Sequence, residues 1–262
     1  MSVELVVEGH VARVTIDRPE VRNALDRAHH ALLEDAWARI EADPDVRVAV
    51  LTGAGETAFC AGADMKAGDP EGVEYLALER PHGFGGISLR TSLLVPVVAR
   101  VNGHALGGGF EMVLGCDLAV AAEEATFGLP EALVGRVALD GGVPLLAAAL
   151  GPKRARELLL TGRRVDAGEA LALGLVNRVV PRAELETATR ALAEQVALVP
   201  PLTAEAVKAS INHMVDGMGQ RESWRYHFML HQFVSNTPTA LAKVEARKSG
   251  GMDAVKKEQG RS

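Results

Sequence analysis

Three consecutive glycines, Gly107 to Gly109, lie between an apolar run at residues 97–101 and a helical pattern at residues 112–116. Glycine lets the backbone take conformations that a side chain forbids, and lets it approach a ligand closely. The first amides of a helix have no internal partner and stabilise a ligand oxygen that gains negative charge. With Glu111 one turn later, the stretch is either half of an oxyanion hole beside a general acid or base, or a glycine turn before a buried helix.

The composition predicts one globular core. The chain has 262 residues, of which 48% are hydrophobic and 4% aromatic, so the core should be mainly aliphatic. This length fits one large domain, or one domain with an appendage. A net charge of −6 does not indicate a nucleic-acid surface. The two cysteines, Cys60 and Cys116, form no disulfide or metal-binding pattern, which suits a reducing cytosol.

The N-terminal residues MSVELVVEGH carry acidic side chains and lack the basic start of a signal peptide. No apolar run reaches the ~18 residues of a membrane-spanning helix. We therefore expect a cytoplasmic protein that has neither a membrane nor a nucleic acid as its partner.

Strand and turn patterns dominate the first half of the chain, and helical patterns dominate the second. Apolar runs predict strands at residues 3–7, 11–16, 46–51 and 117–122. Asp26 and Asp166 are candidate helix caps. From residue 184 onward, prolines and glycines divide a helical pattern into three predicted helices. These patterns indicate the α/β class, with one core and a helical C-terminal part.

One glycine-rich turn has the spacing of a dinucleotide-binding fingerprint, with Gly53, Gly55 and Ala58 after a predicted strand. That fingerprint should open a helix, whereas residues 59–64 contain small residues without a helical period. The pattern therefore argues against a nucleotide site.

A second glutamate, Glu131, lies among the apolar residues Leu129, Pro130, Ala132 and Leu133. Burial disfavours the charged form of a carboxyl group, so a raised pKa would suit Glu131 to proton donation at neutral pH. An exposed loop glutamate is the alternative, because turns that contain proline are usually solvated.

Residues 66–92 are polar, contain several glycines and have only weak periodicity. Long irregular segments inside compact domains are often functional. The segment is interpreted either as a wall of the substrate pocket or as a surface loop with one short helix.

Taken together, the motifs resemble those of the enoyl-CoA hydratase/isomerase (crotonase) family over about residues 3–248. Five ordered pieces carry the resemblance: Arg18-Pro19-Glu20 followed by Asn23-Ala24-Leu25; FCAGAD at residues 59–64; NGHALGGG at residues 102–109; FGLPE at residues 127–131; and Thr161-Gly162 through Gly174-Leu175-Val176. Each piece is weak alone, but five in the right order make chance a poor explanation.

The resemblance implies an α/β fold in which repeated ββα units form a spiral, over residues 1–195. It also implies a C-terminal helical trimerisation region, over residues 196–262, and hence a homotrimer or homohexamer. The implied ligand is an acyl-CoA thioester, with coenzyme A as part of the substrate. Neither a separate cofactor nor a metal is implied.

The resemblance also implies the site residues. The backbone amides of Ala63 and Gly108 would form the oxyanion hole, which explains why both segments consist of small residues. Glu111 and Glu131 match the two glutamates that act on one water in hydratases of the family. The substrate-binding positions implied are Arg22, Leu25, Ala61, Asp64, Met65, Gly107, Leu139 and Asp140, of which Arg22 and Leu25 would lie along the coenzyme A moiety.

Retention of both glutamates favours an enoyl-CoA hydratase over the alternatives. Double-bond isomerases of the family use fewer carboxylates, so an isomerase, or a dehydratase of another acyl-CoA, is the second hypothesis. A member that binds acyl-CoA without turnover is the third. Asp140 is interpreted either as a third catalytic carboxylate or, preferably, as the cap of a helix that begins near residue 143.

Overall fold

The structure, a computed structural model, describes residues 2–67, 81–217 and 220–258. Its strands are β1 Val3–Glu8, β2 Val11–Ile16, β3 Val48–Gly53, β4 Ala58–Cys60, β5 Val97–Val101, β6 His104–Leu106, β7 Leu118–Ala122, β8 Thr126–Gly128, β9 Val165–Asp166 and β10 Arg178–Val180. Its helices include α1 Arg27–Ala42, α2 Gly108–Gly115, α3 Gly142–Thr161, α4 Ala167–Ala172, α5 Leu185–Ala197, α6 Pro201–Gly217, α7 Gln220–Ser235 and α8 Pro238–Glu258.

From β3 to β8, consecutive strands alternate between two sheets. The larger sheet has the order β1-β2-β3-β5-β7-β10, and the smaller has the order β4-β6-β8-β9. The strands from β2 through β10 of the larger sheet are parallel, as are β4, β6 and β8 of the smaller one. Each pair of strands, such as β3 with β4 or β5 with β6, therefore contributes one strand to each sheet. This alternation brings the ends of β4 and β6 together.

The larger sheet is covered on both faces, which explains its apolar strands. Helix α5 packs against one face, where Leu192 and Ala193 contact side chains such as Val50. The opposite face belongs to the main core. Every residue of β3 is buried, so the strand predicted at residues 46–51 is confirmed.

Two predicted helix caps are confirmed. Asp26 accepts a hydrogen bond from the amide of His29 at 3.0 Å, and Asp166 accepts one from Glu169 at 2.8 Å. The C-terminal part differs from the expectation, because the described residues from 184 onward form four helices, α5 to α8, and not three. The three break points seen in the sequence separate four helical stretches. The proposed domain boundary near residue 195 stays a prediction.

Two buried asparagines hold the glycine turn between β3 and β4. The side chain of Asn23 donates to the carbonyls of Ala54 and Ala58 at 2.9 and 2.8 Å. Asn102 donates to the carbonyl of Gly55 at 2.7 Å. The turn leads into β4 rather than into a helix, so the sequence-based argument against a dinucleotide site is confirmed.

Helix α6 exposes several apolar side chains, among them Leu202, Val207, Ile211 and Met214. Such a stripe suits contact with another chain, but the homotrimer or homohexamer stays a prediction.

Among the described residues, no helix combines the length and the apolar character needed to cross a lipid bilayer. Nearly half of the irregular segment at residues 66–92, namely residues 68–80, lies outside the described residues.

Candidate active site

The two small-residue segments meet where β4 and β6 end. A first side-chain carbon added at Gly62 would lie 3.4 Å from the amide nitrogen of Gly108, which shows how closely the segments approach. Gly108 is the first residue of α2, so its amide has no partner inside the helix. Within the described ranges, neither this amide nor that of Ala63 donates a hydrogen bond to the protein. Both amides are therefore free to donate to a ligand, and their action on one oxygen stays a prediction.

A cavity of about 90 Å³ lies against both segments. Nine predicted site residues line it: Ala61, Ala63, Met65, Gly107, Gly108, Glu111, Glu131, Leu139 and Asp140. Its small volume suits the reacting end of a substrate rather than a complete coenzyme A ester. The structure thus brings most of the predicted site together.

Three predicted substrate-binding residues do not line this cavity. Leu25 has no exposed surface, and its position along coenzyme A stays a prediction. Asp64 pairs with Arg18 at 3.2 Å and thereby links two of the sequence motifs. Arg22 is exposed, with a φ of 57°, and its contact with substrate stays a prediction.

Glu111 lies in the first turn of α2 and is only 3% exposed. Its Oε1 accepts a hydrogen bond from the amide of Gly142 at 2.8 Å. Gly142 begins α3, so the positive end of a second helix dipole faces this carboxylate. The amide and the dipole both stabilise negative charge on Glu111.

Glu131 begins a short 3-10 turn, Glu131–Val134, and its two carboxyl oxygens have different surroundings. Oε2 is buried and has no hydrogen-bond partner among the described groups. A side chain at Gly107, where φ is 56°, would place its first carbon 2.8 Å from Oε1. Burial raises the pKa of Glu131 to about 7, against the opposing charges of Arg247 and Arg136. A group of this pKa can donate or accept a proton at neutral pH.

The preferred interpretation of Asp140 as a helix cap is wrong. The N-cap of α3 is Gly141, with a φ of 106°, and this residue has no side chain with which to cap the helix. Asp140 is instead 4% exposed and lines the cavity. The amide of Gly142 is bound by Glu111, so the acidic partner of this helix start comes from α2.

Three cavity residues were missed by the sequence reasoning: Arg136, His231 and Arg247. Arg136 lies five residues after Glu131, and its amide donates to the Glu131 carbonyl at 2.9 Å. His231 Nδ1 lies 2.7 Å from the carbonyl of Val137, which can only accept, so Nδ1 carries the proton. The two helical residues come from α7 and α8, about 100 residues away in sequence, and no local pattern connects them with Glu131.

We expect Gly142→Ala to damage the site. The added carbon would lie 2.6 Å from Ala138 Cβ and 2.9 Å from Glu111 Oε1, both too close without movement. Overpacking of this kind costs about 1–3 kcal/mol, so the free energy of unfolding should fall by that amount and turnover with it. Gly168→Ala in α4 is the control, because its nearest neighbour would lie at 3.5 Å. Equal unfolding temperatures and activities for the two variants would contradict this account of Gly142.

Comparisons with known proteins identify the same family as the sequence motifs do. The family model described as enoyl-CoA hydratase/isomerase matches residues 7–249. An (E)-benzylidenesuccinyl-CoA hydratase of Thauera aromatica is 43% identical over 79% of this chain and 81% of its own length. A carnitinyl-CoA dehydratase of Salmonella paratyphi A is 42% identical over 86% of this chain and 85% of its own.

The crystal structure of a carnitinyl-CoA hydratase from Mycobacterium avium has a TM-score of 0.86 and 36% identity, over 95% of each chain. The α/β fold with its C-terminal helices is therefore the crotonase fold. The motifs, the geometry of the cavity and these comparisons agree, and the chain belongs to the enoyl-CoA hydratase/isomerase family.

Proposed function

We propose that the protein catalyses the reversible addition of water to a 2-enoyl-CoA thioester. The observation that carries this proposal is that Glu111, Glu131 and the amides of Ala63 and Gly108 border one small cavity. Hydration needs two proton-transfer groups and a place for the negative oxygen of an enolate, and these four groups could supply both. The relatives that hydrate or dehydrate CoA thioesters favour the same reaction class.

In the proposed mechanism, the thioester oxygen accepts hydrogen bonds from the amides of Ala63 and Gly108. Glu111, as the carboxylate, takes a proton from water while the water oxygen bonds to C3 of the enoyl group. The electrons of the double bond move onto the thioester oxygen, where the two amides stabilise the enolate. Glu131, protonated, then donates its proton to C2. Proton exchange between the two carboxyl groups through solvent restores the starting state.

The pKa of about 7 for Glu131 predicts a pH dependence that hydration and dehydration share. Hydration uses Glu111 as the carboxylate and Glu131 in its protonated form, whereas dehydration uses the reverse arrangement, so both directions need one proton on the pair. The kcat/KM values of both directions should therefore fall together as pH rises above about 7, while their ratio, which is the equilibrium constant, stays the same. Initial rates measured from pH 5.5 to 9 (roughly the window in which such a group titrates) check this expectation. A kcat/KM that does not change across this window would contradict proton transfer by Glu131.

A double-bond isomerase is the second candidate, because Asp140 lies inside the cavity and does not cap α3. A third carboxylate could move a proton between C2 and C4 of a 3-enoyl-CoA. In that case Asp140→Asn should lower the conversion of 3-enoyl-CoA to 2-enoyl-CoA far more than it lowers hydration. Equal effects on both reactions would remove Asp140 from this role.

The decisive experiment follows the enoyl-thioester absorbance of crotonyl-CoA after addition of the protein. Rapid loss of absorbance, with 3-hydroxybutyryl-CoA as the product, supports the hydratase. Tight binding of several enoyl-CoA esters without any change in absorbance would instead support a member of the family that binds acyl-CoA without turnover.

A further inference from the structure

Two arginines from distant parts of the chain meet at the cavity that holds Glu111 and Glu131. Arg136 follows the turn Glu131–Val134, and Arg247 lies in α8. Helix α8 packs against that turn. The approach is close, because a side-chain carbon at Gly135 would lie 2.9 Å from Ala240 Cβ.

One face of α8 directs Arg247 toward the site. Ala240 and Val244 are 1% and 3% exposed, and Arg247 continues their spacing of four and then three residues. Residues with this spacing share one side of a helix. The packing that buries Ala240 and Val244 therefore also fixes Arg247 at the cavity.

One side-chain nitrogen of Arg136 lacks the kind of partners that Arg90 has. Arg136 Nε is buried without a hydrogen-bond partner among the described groups. By contrast Arg90, whose side chain is 3% exposed, pairs with Glu34 and Glu41 at 2.7 and 2.8 Å. Buried cations are normally paired, because removal from water is costly. The Nε of Arg136 is therefore a donor that an anionic ligand of this cavity could use.

The negative charge that Glu131 presents to these arginines depends on its protonation state. Burial raises the pKa of Glu131 to about 7, and in the proposed hydration Glu131 reacts in its neutral, protonated form. Burial lowers the pKa of Arg247, the charge of Glu131 raises it, and the charge of Arg136 lowers it. When Glu131 is protonated, a negative group of the substrate could therefore replace its charge beside the two arginines and accept a hydrogen bond from Arg136 Nε.

We propose, on the basis of the hydratase function, that the acyl group of the substrate carries a second carboxylate, which Arg136 and Arg247 bind. Arginine suits this role because its planar group can hold a carboxylate through two parallel hydrogen bonds. An acyl group that carries a cation would be repelled by the same pair.

The test compares two CoA esters that differ only at the end of a five-carbon chain: glutaryl-CoA, with a carboxylate, and pentanoyl-CoA, with a methyl group. Titration calorimetry measures both affinities for wild type, Arg136→Gln, Arg247→Gln, Arg247→Lys and the control Arg190→Gln, whose side chain is 65% exposed on α5. We expect wild type to bind glutaryl-CoA about tenfold or more tightly than pentanoyl-CoA. Either glutamine variant should remove most of this preference, whereas Arg247→Lys should keep part of it and Arg190→Gln all of it.

The outcomes separate this inference from the hydratase proposal. Equal affinity of wild type for the two esters would overturn the inference. Glutamine variants that weaken the binding of both esters equally would also overturn it, because the arginines would then serve the phosphates of coenzyme A.

The hydratase proposal is tested separately, with 4-carboxybut-2-enoyl-CoA and pent-2-enoyl-CoA. If neither is hydrated, the hydratase proposal fails, and an arginine-dependent preference for glutaryl-CoA would still support the carboxylate site. If both are hydrated at equal kcat/KM and the affinities are also equal, the inference alone fails.

Discussion

Glu131→Gln is expected to lower kcat for hydration of crotonyl-CoA by about 10²- to 10⁴-fold, the usual contribution of a general acid. Glutamine has nearly the same shape as protonated glutamic acid but cannot give up a proton to C2. Because the amides of Ala63 and Gly108 remain, KM should change much less than kcat. The pH dependence near pH 7 should also disappear from the residual rate. Retention of more than about a tenth of wild-type kcat would remove Glu131 from the proposed role.

The stability of this variant provides its control. The folded protein keeps the Glu131 proton up to a pH of about 7, whereas an unfolded chain releases it near its ordinary value of 4.5. The folded state therefore binds more protons between these two values, and this group's contribution to the free energy of unfolding falls as pH rises through that window. Glutamine has no charge to bury. At pH 8 the variant should accordingly unfold at the same temperature as wild type or a higher one, so a loss of activity cannot be attributed to unfolding.

Ala63→Pro is expected to lower kcat/KM for hydration by about 10²- to 10³-fold, close to 3 kcal/mol of transition-state stabilisation. Proline has no amide hydrogen, so the substitution removes one of the two donors to the thioester oxygen. The neighbouring backbone bonds, from the Leu25 amide to the Gly62 carbonyl and from the Asp64 amide to the Leu25 carbonyl, do not involve the Ala63 amide. Ala63 is also exposed, which leaves room for the ring.

Ala63→Ser is the matched control for this variant, because it adds a side chain at the same position but keeps the amide hydrogen. Its kcat/KM should stay within a few-fold of wild type, and both variants should unfold at similar temperatures. If serine and proline lower kcat/KM equally, side-chain bulk rather than loss of the amide is responsible, and the Ala63 amide is not a donor to the substrate.

The parts of the site that could be predicted from sequence are those that depend on neighbouring residues. Gly108 and Glu111 lie in one stretch, and the small residues around Ala63 directly follow β4. The apolar neighbours of Glu131 correctly predicted its raised pKa, because burial is the main cause of the shift. Their meeting at one cavity could not be derived from these local patterns, and the family resemblance supplied it.

The errors arose where distant segments meet. Asp140 has the sequence position of a cap, yet the amide at the start of α3 is bound by Glu111, 31 residues earlier. The contribution of Arg247 was missed, because its position depends on how α8 packs against Gly135. Local helical spacing showed that Arg247 shares a face with Ala240, but not which part of the protein that face contacts.

The position of Arg247 in α8 places the proposed recognition of the acyl group and the proposed hydration chemistry in different parts of the chain. All the groups proposed to move protons or stabilise the enolate lie between residues 63 and 131, around the ends of the strands. One of the two arginines proposed to recognise the acyl group lies instead in a helix more than 100 residues later. Exchange of α8 between members of the family should therefore alter which acyl groups are accepted while the hydration chemistry is retained. Natural divergence of substrate range could follow the same route, through changes in one peripheral helix that leave both sheets intact.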